Sequence, residues 1–406
     1  MPLVPKANMS YREIDKNPNA IRHILPITLL GAILLVGSNA FVLSPILSDV
    51  AKDLDTQAFR IAWSISAFGA ATAVSALSLA GLIDRMPAGR VLGGAALLLA
   101  LAQMLSALSQ SWLWLGLSQA IAGVAVGILL PGTYATAAAT APKGREAARL
   151  GLVLTGWALS LVLAVPLAAV VTEKFGWRTV YALLAGLSLL VGIVLMLVLR
   201  GTLAGPAMRT SPWRAVRLPG VARLLVVLFA YMTAFYGCFA FFGEGLRNAF
   251  ALSAQGTGLF VLAYGLGFGV AGVGLSILAP KISRGYIVLV LCSIAASYFC
   301  WRFALATPSV AFAAAAMWGF LNQLGLNAIV VSLNQRAFEA RGAVMGLNSA
   351  VTYFAAFTGP VVMGSVYATA GFSAVSGLAA AFVVIGAVAS WKSIEAPAAS
   401  PTRSVS

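Results

Sequence analysis

Long apolar stretches alternate with short polar gaps along almost the whole chain. Twelve such stretches lie between Leu25 and Trp391, and each is close to the roughly 20 residues that a helix needs to cross a bilayer. The pattern predicts an all-α integral membrane protein with twelve transmembrane helices. The predicted ranges are 25–47, 58–80, 90–109, 112–138, 149–172, 178–199, 222–245, 255–279, 286–304, 308–332, 343–368 and 373–391.

The basic residues between the stretches alternate in number from one gap to the next. Twenty of the 26 Lys and Arg residues fall in the two chain ends and the even-numbered gaps. The odd-numbered gaps hold only Lys52, Arg60, Lys174, Arg178, Arg247 and Arg302. Because cytoplasmic loops carry the excess of basic residues, both termini are predicted to be cytoplasmic.

The chain divides near its middle into two sets of six stretches. The longest gap, residues 200–221, holds Arg209, Arg214 and Arg217 but no acid. Gly151 and Gly176 also recur 195 residues later as Gly346 and Gly371, which indicates an internal repeat. Two pseudo-symmetric halves are typical of secondary transporters. The predicted organisation is a cytoplasmic tail (1–24), a six-helix bundle (25–199), a cytoplasmic linker (200–221), a second bundle (222–391) and a cytoplasmic tail (392–406).

Composition narrows the class of protein further. Only 9% of residues are charged, against roughly 25% in soluble domains. The net charge of +15 lies at the ends of predicted spans, so it indicates contact with lipid headgroups rather than nucleic acid. The three cysteines lie within apolar stretches without CxxC spacing, and the chain has one histidine. We therefore expect no metal site and no cofactor.

The loop after the second stretch carries a recognisable motif. Gly81, the pair Asp84-Arg85 and the pair Gly89-Arg90 resemble the loop between helices two and three of the major facilitator superfamily, with Gly81 one residue closer to Asp84 and Gly89 two residues farther away than in the family. The resemblance implies a conformational latch, in which Asp84, Arg85 and Arg90 act with Arg341 at the start of helix eleven. Arg85 and Arg90 could instead only anchor helix ends.

Other segments extend the resemblance to the twelve-helix drug and metabolite efflux branch, which is similar to arabinose efflux permeases. Asn39 with the following segment 43–47, Phe175-Gly176-Trp177-Arg178 and Gly359-Pro360 resemble the branch. The resemblance implies the major facilitator fold. Two positions depart from the branch: Gln119 stands where an arginine is usual, and Val165 precedes Pro166 where the antiporter motif has glycine. Both departures count against proton antiport.

Prolines within two of the stretches predict helix bends. Pro166 and Pro360 each remove a backbone hydrogen bond, and each ring crowds the carbonyl one turn earlier. A bend could serve as a hinge in transport or could be packed by neighbouring helices.

Polar and aromatic residues near mid-span mark a candidate substrate cavity, because hydrocarbon makes each buried polar group costly. Hydrogen bonds between helices are the alternative explanation for any one of them. The candidates are Asn39, Gln119, Tyr236, Phe239, Trp318, Asn322, Asn348 and Tyr353. A cavity of amides, tyrosines and rings suits a neutral or weakly polar solute, because a multiply charged one would leave its charge unpaired.

Acidic residues all lie at or beyond the predicted span ends, with Glu244 nearest to membrane depth. A proton-coupled carrier needs a carboxylate or a histidine whose pKa its cavity can shift. Glu244 is therefore the candidate proton site, and pairing with Arg247, three residues later, is the alternative.

The resemblance to the efflux branch implies a monomeric exporter of small metabolites or drugs in the bacterial inner membrane, driven as a proton antiporter. Its partners are a small-molecule substrate, protons and the lipid bilayer. An importer or an uncoupled facilitator is the alternative within transport. A membrane-embedded enzyme or a sensor is more remote, because the chain lacks clustered histidines, carboxylates and metal ligands.

Overall fold

The computed structural model describes residues 23–79, 82, 86–142, 144–200, 212–278, 283–336 and 341–393. Helices are the regular elements throughout these ranges, and a short π-helix, Ser160–Ala164, lies between α6 and α7. The helices are α1 (Leu25–Phe41), α2 (Leu43–Asp53), α3 (Ala58–Ser78), α4 (Ala88–Ala107), α5 (Trp112–Ala139), α6 (Glu146–Leu159), α7 (Val165–Phe175), α8 (Trp177–Val198), α9 (Pro212–Val216), α10 (Val221–Phe250), α11 (Ala254–Leu278), α12 (Arg284–Ala304), α13 (Pro308–Arg336) and α14 (Arg341–Ser393).

Twelve crossings follow from the lengths and breaks of these helices. α1 and α2 meet at a bend of 51° and form one crossing. α14 has 53 residues and would be about 80 Å long as one helix, more than twice the thickness of the hydrocarbon. Gly371 interrupts it, so α14 contains two crossings. The described chain therefore confirms the predicted twelve-helix membrane fold.

We number the crossings spans 1 to 12. They are α1 with α2, α3, α4, α5, α6 with α7, α8, α10, α11, α12, α13 and the two parts of α14. Spans 1–6 form the N-terminal half and spans 7–12 the C-terminal half. The end of the bundle at which span 1 begins and span 12 ends is called the basic end below, because it carries most of the Arg residues.

Prolines account for the breaks within spans 1 and 5. Pro45 has no backbone N–H and its ring crowds the carbonyl of Phe41, which is the residue at which α1 ends. The sequence did not indicate this bend, nor that span 1 continues to Asp53. At Pro166 the π-helix Ser160–Ala164 immediately precedes α7. Pro360 lies within α14 with helix on both sides.

Two glycines end equivalent helices in the same backbone conformation. Gly176, between spans 5 and 6, has φ 82° and ψ 155°, and Gly371, between spans 11 and 12, has φ 71° and ψ −171°. This region of backbone space is almost restricted to glycine. The next residues, Trp177 and Phe372, are both buried. The 195-residue repeat predicted from the sequence is thus a repeat of structure.

The two halves meet along two long seams and one shorter one. Span 2 packs on span 11, span 5 packs on span 8, and the outer part of span 1 packs on span 7. Glycines permit the closest approaches: a Cβ on Gly69 would lie 2.6 Å from the Phe357 nitrogen, and one on Gly265 would lie 2.9 Å from the Leu161 carbonyl carbon. The repeat relates span 2 to span 8 and span 5 to span 11. The seam between spans 2 and 11 is therefore the counterpart of the seam between spans 8 and 5.

Replacing Gly176 or Gly371 by Ala should lower the melting temperature of the purified protein. The added Cβ makes the observed backbone conformation costly, by about 1–3 kcal/mol at each position. Gly186→Ala and Gly377→Ala are the controls, because both glycines are helical with open space where the Cβ would be. We expect no loss of stability in the controls. Equal melting temperatures in all four variants would contradict the conclusion that Gly176 and Gly371 are required at the two helix ends.

Candidate functional site

Polar side chains of the N-terminal half form a continuous buried chain of hydrogen bonds. The Asn39 Nδ2 donates to the Gln119 Oε1 at 2.9 Å, and the Gln103 Nε2 donates to the Asn39 Oδ1 at 3.3 Å. At the two ends, Ser188 donates to the Gln103 Oε1 at 2.7 Å and the Gln119 Nε2 donates to Ser106 at 3.0 Å. The chain ties spans 1, 3, 4 and 6 together, and we call it the amide chain.

Two predicted cavity residues, Asn39 and Gln119, belong to this amide chain. Each is at most 3% exposed, and their amide groups are bonded to each other and to neighbours in the same half. This arrangement favours interhelical bonding over solute contact. Gln103 and Ser188 were missed, although each is an isolated polar residue in an apolar stretch, which is the signal that marked Asn39.

Aromatic rings from both halves meet at the centre of the molecule. Phe41 of span 1 lies 5.2 Å from Phe239 and 6.3 Å from Tyr236, both of span 7, measured between ring centroids. Phe239 in turn lies 5.4 Å from Tyr264, which is 4.9 Å from Trp318. We call these five residues the central aromatic cluster. It brings together three predicted site residues, Tyr236, Phe239 and Trp318.

Asn322 lies one turn from Trp318 on span 10, towards the basic end. Its Nδ2 donates to the Tyr264 hydroxyl at 3.0 Å, and its backbone oxygen accepts from the Tyr231 hydroxyl at 2.7 Å. Its Oδ1 is buried and has no hydrogen-bond partner within the described chain. The amide is therefore fixed by its neighbours but keeps one free acceptor.

Span 11 contributes Tyr353 and Asn348, which also have unsatisfied polar atoms. Tyr353 is 2% exposed, its ring packs edge-on against Phe68 of span 2, and its hydroxyl has no partner among the described residues. Asn348 is half-buried and its Oδ1 likewise has no described partner.

A pair on spans 4 and 5 was missed by the sequence analysis. The Trp157 Nε1–H donates to the Tyr134 hydroxyl at 2.8 Å, and the Trp157 ring packs edge-on against Phe41 with centroids 5.9 Å apart. Both side chains are half-buried. Trp157 is the one aromatic residue in the predicted range 149–172 and Tyr134 is the one tyrosine in 112–138, so the sequence could have singled out each residue but not their pairing.

Charged and polar groups join the halves at the end opposite the basic end. Arg247 of span 7 forms an ion pair with Asp49 of span 1, with a second hydrogen bond of 3.1 Å. One turn of helix away, the Ser48 hydroxyl donates to the Glu244 carboxylate. The Arg247 side chain is 18% exposed and that of Asp49 is 30% exposed, so water only partly screens the pair. Arg247 therefore pairs across the halves rather than with Glu244.

Further contacts lie at the same end. The Gln255 backbone N–H at the start of span 8 donates to the Glu173 carboxylate of span 5 at 2.9 Å. The second oxygen of Glu244 accepts from the Asn248 Nδ2 at 3.3 Å, and Asn248 also donates to the Tyr367 hydroxyl. Asn248 and Tyr367 both belong to the C-terminal half, so the contacts across the halves at this end hold two of the three seams, spans 1 with 7 and spans 5 with 8. We call Asp49–Arg247, Ser48–Glu244 and Glu173–Gln255 the outer contacts.

The predicted latch lies mostly beyond the described residues. Asp84, Arg85 and the side chain of Arg341 fall there, while Arg90 is exposed in the first turn of α4. The latch therefore stays a prediction. Within the described ranges, no group of three or more His, Cys, Asp and Glu residues is placed to hold a metal ion.

Replacing Gln119 by Met tests whether the amide chain is structural. The change keeps the length of the side chain but leaves the Asn39 Nδ2 without an acceptor, which costs about 1–3 kcal/mol in a buried site. We expect a lower melting temperature and unchanged solute flux per folded molecule in liposomes. Gln110→Met is the control, because Gln110 is exposed. Reduced flux with unchanged melting would instead place Gln119 in the solute site.

Comparisons with known proteins agree with this architecture. The family model described as Major Facilitator Superfamily matches residues 29–360. The uncharacterized MFS-type transporter YwfA of Bacillus subtilis (strain 168) is 28% identical over 376 residues, which are 90% of this chain and 91% of the relative.

A solved structure shows the same fold. The crystal structure of a bacterial homolog to the human lysosomal transporter Spinster, in an inward-facing and unoccupied conformation, superposes with a TM-score of 0.74 at 13% identity. The match covers 92% of this chain and 97% of that chain. The predictions of the superfamily, of a membrane transporter and of a non-enzymatic function are confirmed, because the family match spans most of the sequence. This chain belongs to the major facilitator superfamily.

Proposed function

We propose that this transporter exports a small neutral or weakly polar solute across the bacterial inner membrane, as a monomer, by alternating access. The basic end is cytoplasmic in this proposal, following the distribution of Lys and Arg. The solute binds among the central aromatic cluster, Asn322, Asn348 and Tyr353.

The observation that carries the proposal is the outer contacts, which join the halves along two of the three seams at one end. An ion pair and hydrogen bonds across the halves hold spans 1 and 7, and spans 5 and 8, together there. Polar residues of spans 10 and 11 continue from the central cluster towards the basic end, where Gln323, Asn327 and Asn348 are half-buried. The arrangement supports an inward-facing state in which a cytoplasmic solute reaches the centre.

Export then requires the halves to rock about the solute site. The outer contacts must separate when the outer end opens, while the basic ends of the halves approach each other. The Asp49–Arg247 pair is only partly exposed, so its separation costs more than that of a fully solvated surface pair. A bound solute that bridges both halves would offset part of this cost.

The chemistry of the centre favours an uncharged solute. The cluster offers rings and hydroxyl groups and Asn322 adds an amide oxygen, with no charged side chain among these residues. A charged solute would lose its hydration there without gaining a counter-charge. Rings and hydrogen-bonding groups instead match a compact apolar solute that carries a polar substituent.

Glu244 is the proposed proton site, because its carboxylate bridges the halves through Ser48. A proton on Glu244 would remove the charge that strengthens this hydrogen bond and would favour opening at the outer end. The alternative is transport without proton coupling. It is favoured by Gln119, which replaces the usual arginine and is already fully engaged by Asn39 and Ser106.

Flux into everted membrane vesicles tests direction and coupling together. The solutes are uncharged metabolites and antibiotics that raise the melting temperature of the purified protein. Each is added to vesicles energised with ATP, and a protonophore is then added to collapse the proton gradient. We expect accumulation that the protonophore abolishes, and at least a tenfold loss in Glu244→Gln. Tyr236→Ala should reduce flux at normal membrane insertion, because it removes a ring from the central cluster.

Three results would contradict separate parts of the proposal. Accumulation that persists in the presence of the protonophore excludes proton antiport. Accumulation seen only in right-side-out vesicles excludes export. Unaltered flux in both Tyr236→Ala and Asn322→Ala means that the solute binds elsewhere.

Asp49→Asn should shift the conformational equilibrium towards opening of the outer end. Loss of this partly buried pair weakens the closed end by about 1 kcal/mol, which is roughly a fivefold change in population. Hydrogen exchange measured by mass spectrometry should rise in both residues 43–56 and 243–256, on the two sides of the seam.

Asp53→Asn is the matched control. Asp53 pairs with Arg178, but both belong to the N-terminal half, so exchange should change near residues 43–56 without a rise at 243–256. The same exchange pattern in both variants would show that Asp49–Arg247 does not hold the halves together.

A further inference from the structure

Trp157 is held in one orientation beside the central aromatic cluster. Its Nε1–H is bonded to the Tyr134 hydroxyl, and Phe41 packs against its edge. Close backbone packing fixes the helix beneath it: a Cβ on Gly156 would lie 2.8 Å from the Leu30 oxygen. The indole therefore cannot turn away without losing these contacts.

The same ring remains half-buried, although its polar atom is satisfied. Its neighbour Phe41 also contacts Tyr236 across the two halves. One phenyl ring therefore contacts Trp157 of the N-terminal half and Tyr236 of the C-terminal half. A fixed and partly accessible indole provides a large apolar surface for another ring, and it loses little conformational entropy on binding.

An unsatisfied hydroxyl lies near this surface. Tyr353 is 2% exposed and its hydroxyl has no hydrogen-bond partner within the described ranges. The Tyr353 ring packs across the halves against Phe68, and the 195-residue repeat places Tyr353 within one residue of the position on span 11 that corresponds to Trp157 on span 5, so both lie at nearly the same depth of the bundle. A buried polar atom without a partner destabilises the protein, and a ligand that supplies the partner recovers that cost.

We propose that the solute is a planar aromatic molecule with one uncharged hydrogen-bonding group, whose ring packs on Trp157 and whose polar group bonds to the Tyr353 hydroxyl. This inference rests on the transport function proposed above and specifies the class of its solute. Trp157 belongs to the N-terminal half and Tyr353 to the C-terminal half, and neither is part of the amide chain. The site is therefore formed where the halves meet rather than within one half. Trp157 gives the preference for rings and Tyr353 gives the preference for a polar substituent.

Binding of two matched probes to the purified full-length protein tests the ring preference. The probes are naphthalene-2-carboxamide and its saturated analogue, decahydronaphthalene-2-carboxamide, which share the amide but differ in aromaticity. Ligand binding to the folded state raises the melting temperature with concentration, so dissociation constants follow from the shifts. We expect the aromatic amide to bind at least tenfold more tightly.

Variants then assign the preference to particular residues. Trp157→Leu should abolish the difference in affinity between the two probes. Trp157→Phe keeps an aromatic ring and should retain part of that difference, which separates loss of the ring preference from loss of folding. Tyr353→Phe should weaken the binding of naphthalene-2-carboxamide about tenfold, which is the effect expected from the loss of one buried hydrogen bond. Trp391→Leu and Tyr286→Phe are the controls, because these residues lie on spans 12 and 9, away from the cluster, and should leave both constants unchanged.

Equal affinity for the two probes, no stabilisation by either, or a ring preference that survives in Trp157→Leu would each overturn the inference. The vesicle experiment judges transport independently. If other solutes accumulate there while the naphthalene amide does not bind, the aromatic class is wrong and export stands. If no solute moves, the transport proposal itself fails.

Discussion

Hydrocarbon offers no hydrogen bonds, and this constraint governs both the fold and the position of every polar side chain in the spans. Helices satisfy their own backbone groups, so an all-helical bundle is the available solution for a single chain of this composition. Polar side chains must then be bonded to one another, placed at the ends of the spans, or turned towards a space that water or solute can enter. The two halves use these solutions differently.

In the N-terminal half the amides satisfy each other. The chain from Ser188 through Gln103, Asn39 and Gln119 to Ser106 leaves no amide of these residues without a partner. In the C-terminal half, Asn322 and Asn348 each keep an oxygen without one, as does Tyr353. The amide oxygens without a described partner, those of Asn322, Gln323 and Asn348, thus lie on spans 10 and 11, the first of them beside the aromatic rings that meet across the halves. In the proposed function these free amide oxygens serve binding, whereas the bonded amides of the N-terminal half serve support.

The ends of the bundle show a second asymmetry. One ion pair and two hydrogen bonds join the halves at the end opposite the basic end, and two of these three contacts involve span 1 beyond its bend. The bend at Val42 brings α2 towards span 7, because Pro45 interrupts the helix there. A local backbone feature therefore places Ser48 and Asp49 against Glu244 and Arg247. The same geometry leaves Asp53 to pair within its own half, with Arg178.

Much of the fold follows from the sequence alone, because its physical signals are local. Length and hydropathy determine the number of spans, the charge pattern predicts their orientation, and the spacing of Gly176 and Gly371 reveals the repeat. The site depends on pairing between residues far apart in the chain. Asn39 and Gln119 look like cavity residues until their mutual hydrogen bond is seen, and Arg247 looks like the partner of Glu244 until Asp49 is found beside it. Trp157 and Tyr134 each stand out only as single residues of their type, and the sequence does not reveal that they are bonded to each other. Which polar atom is satisfied is decided by helix packing, since a hydrogen bond needs two groups within about 3 Å and no one-dimensional pattern records that distance.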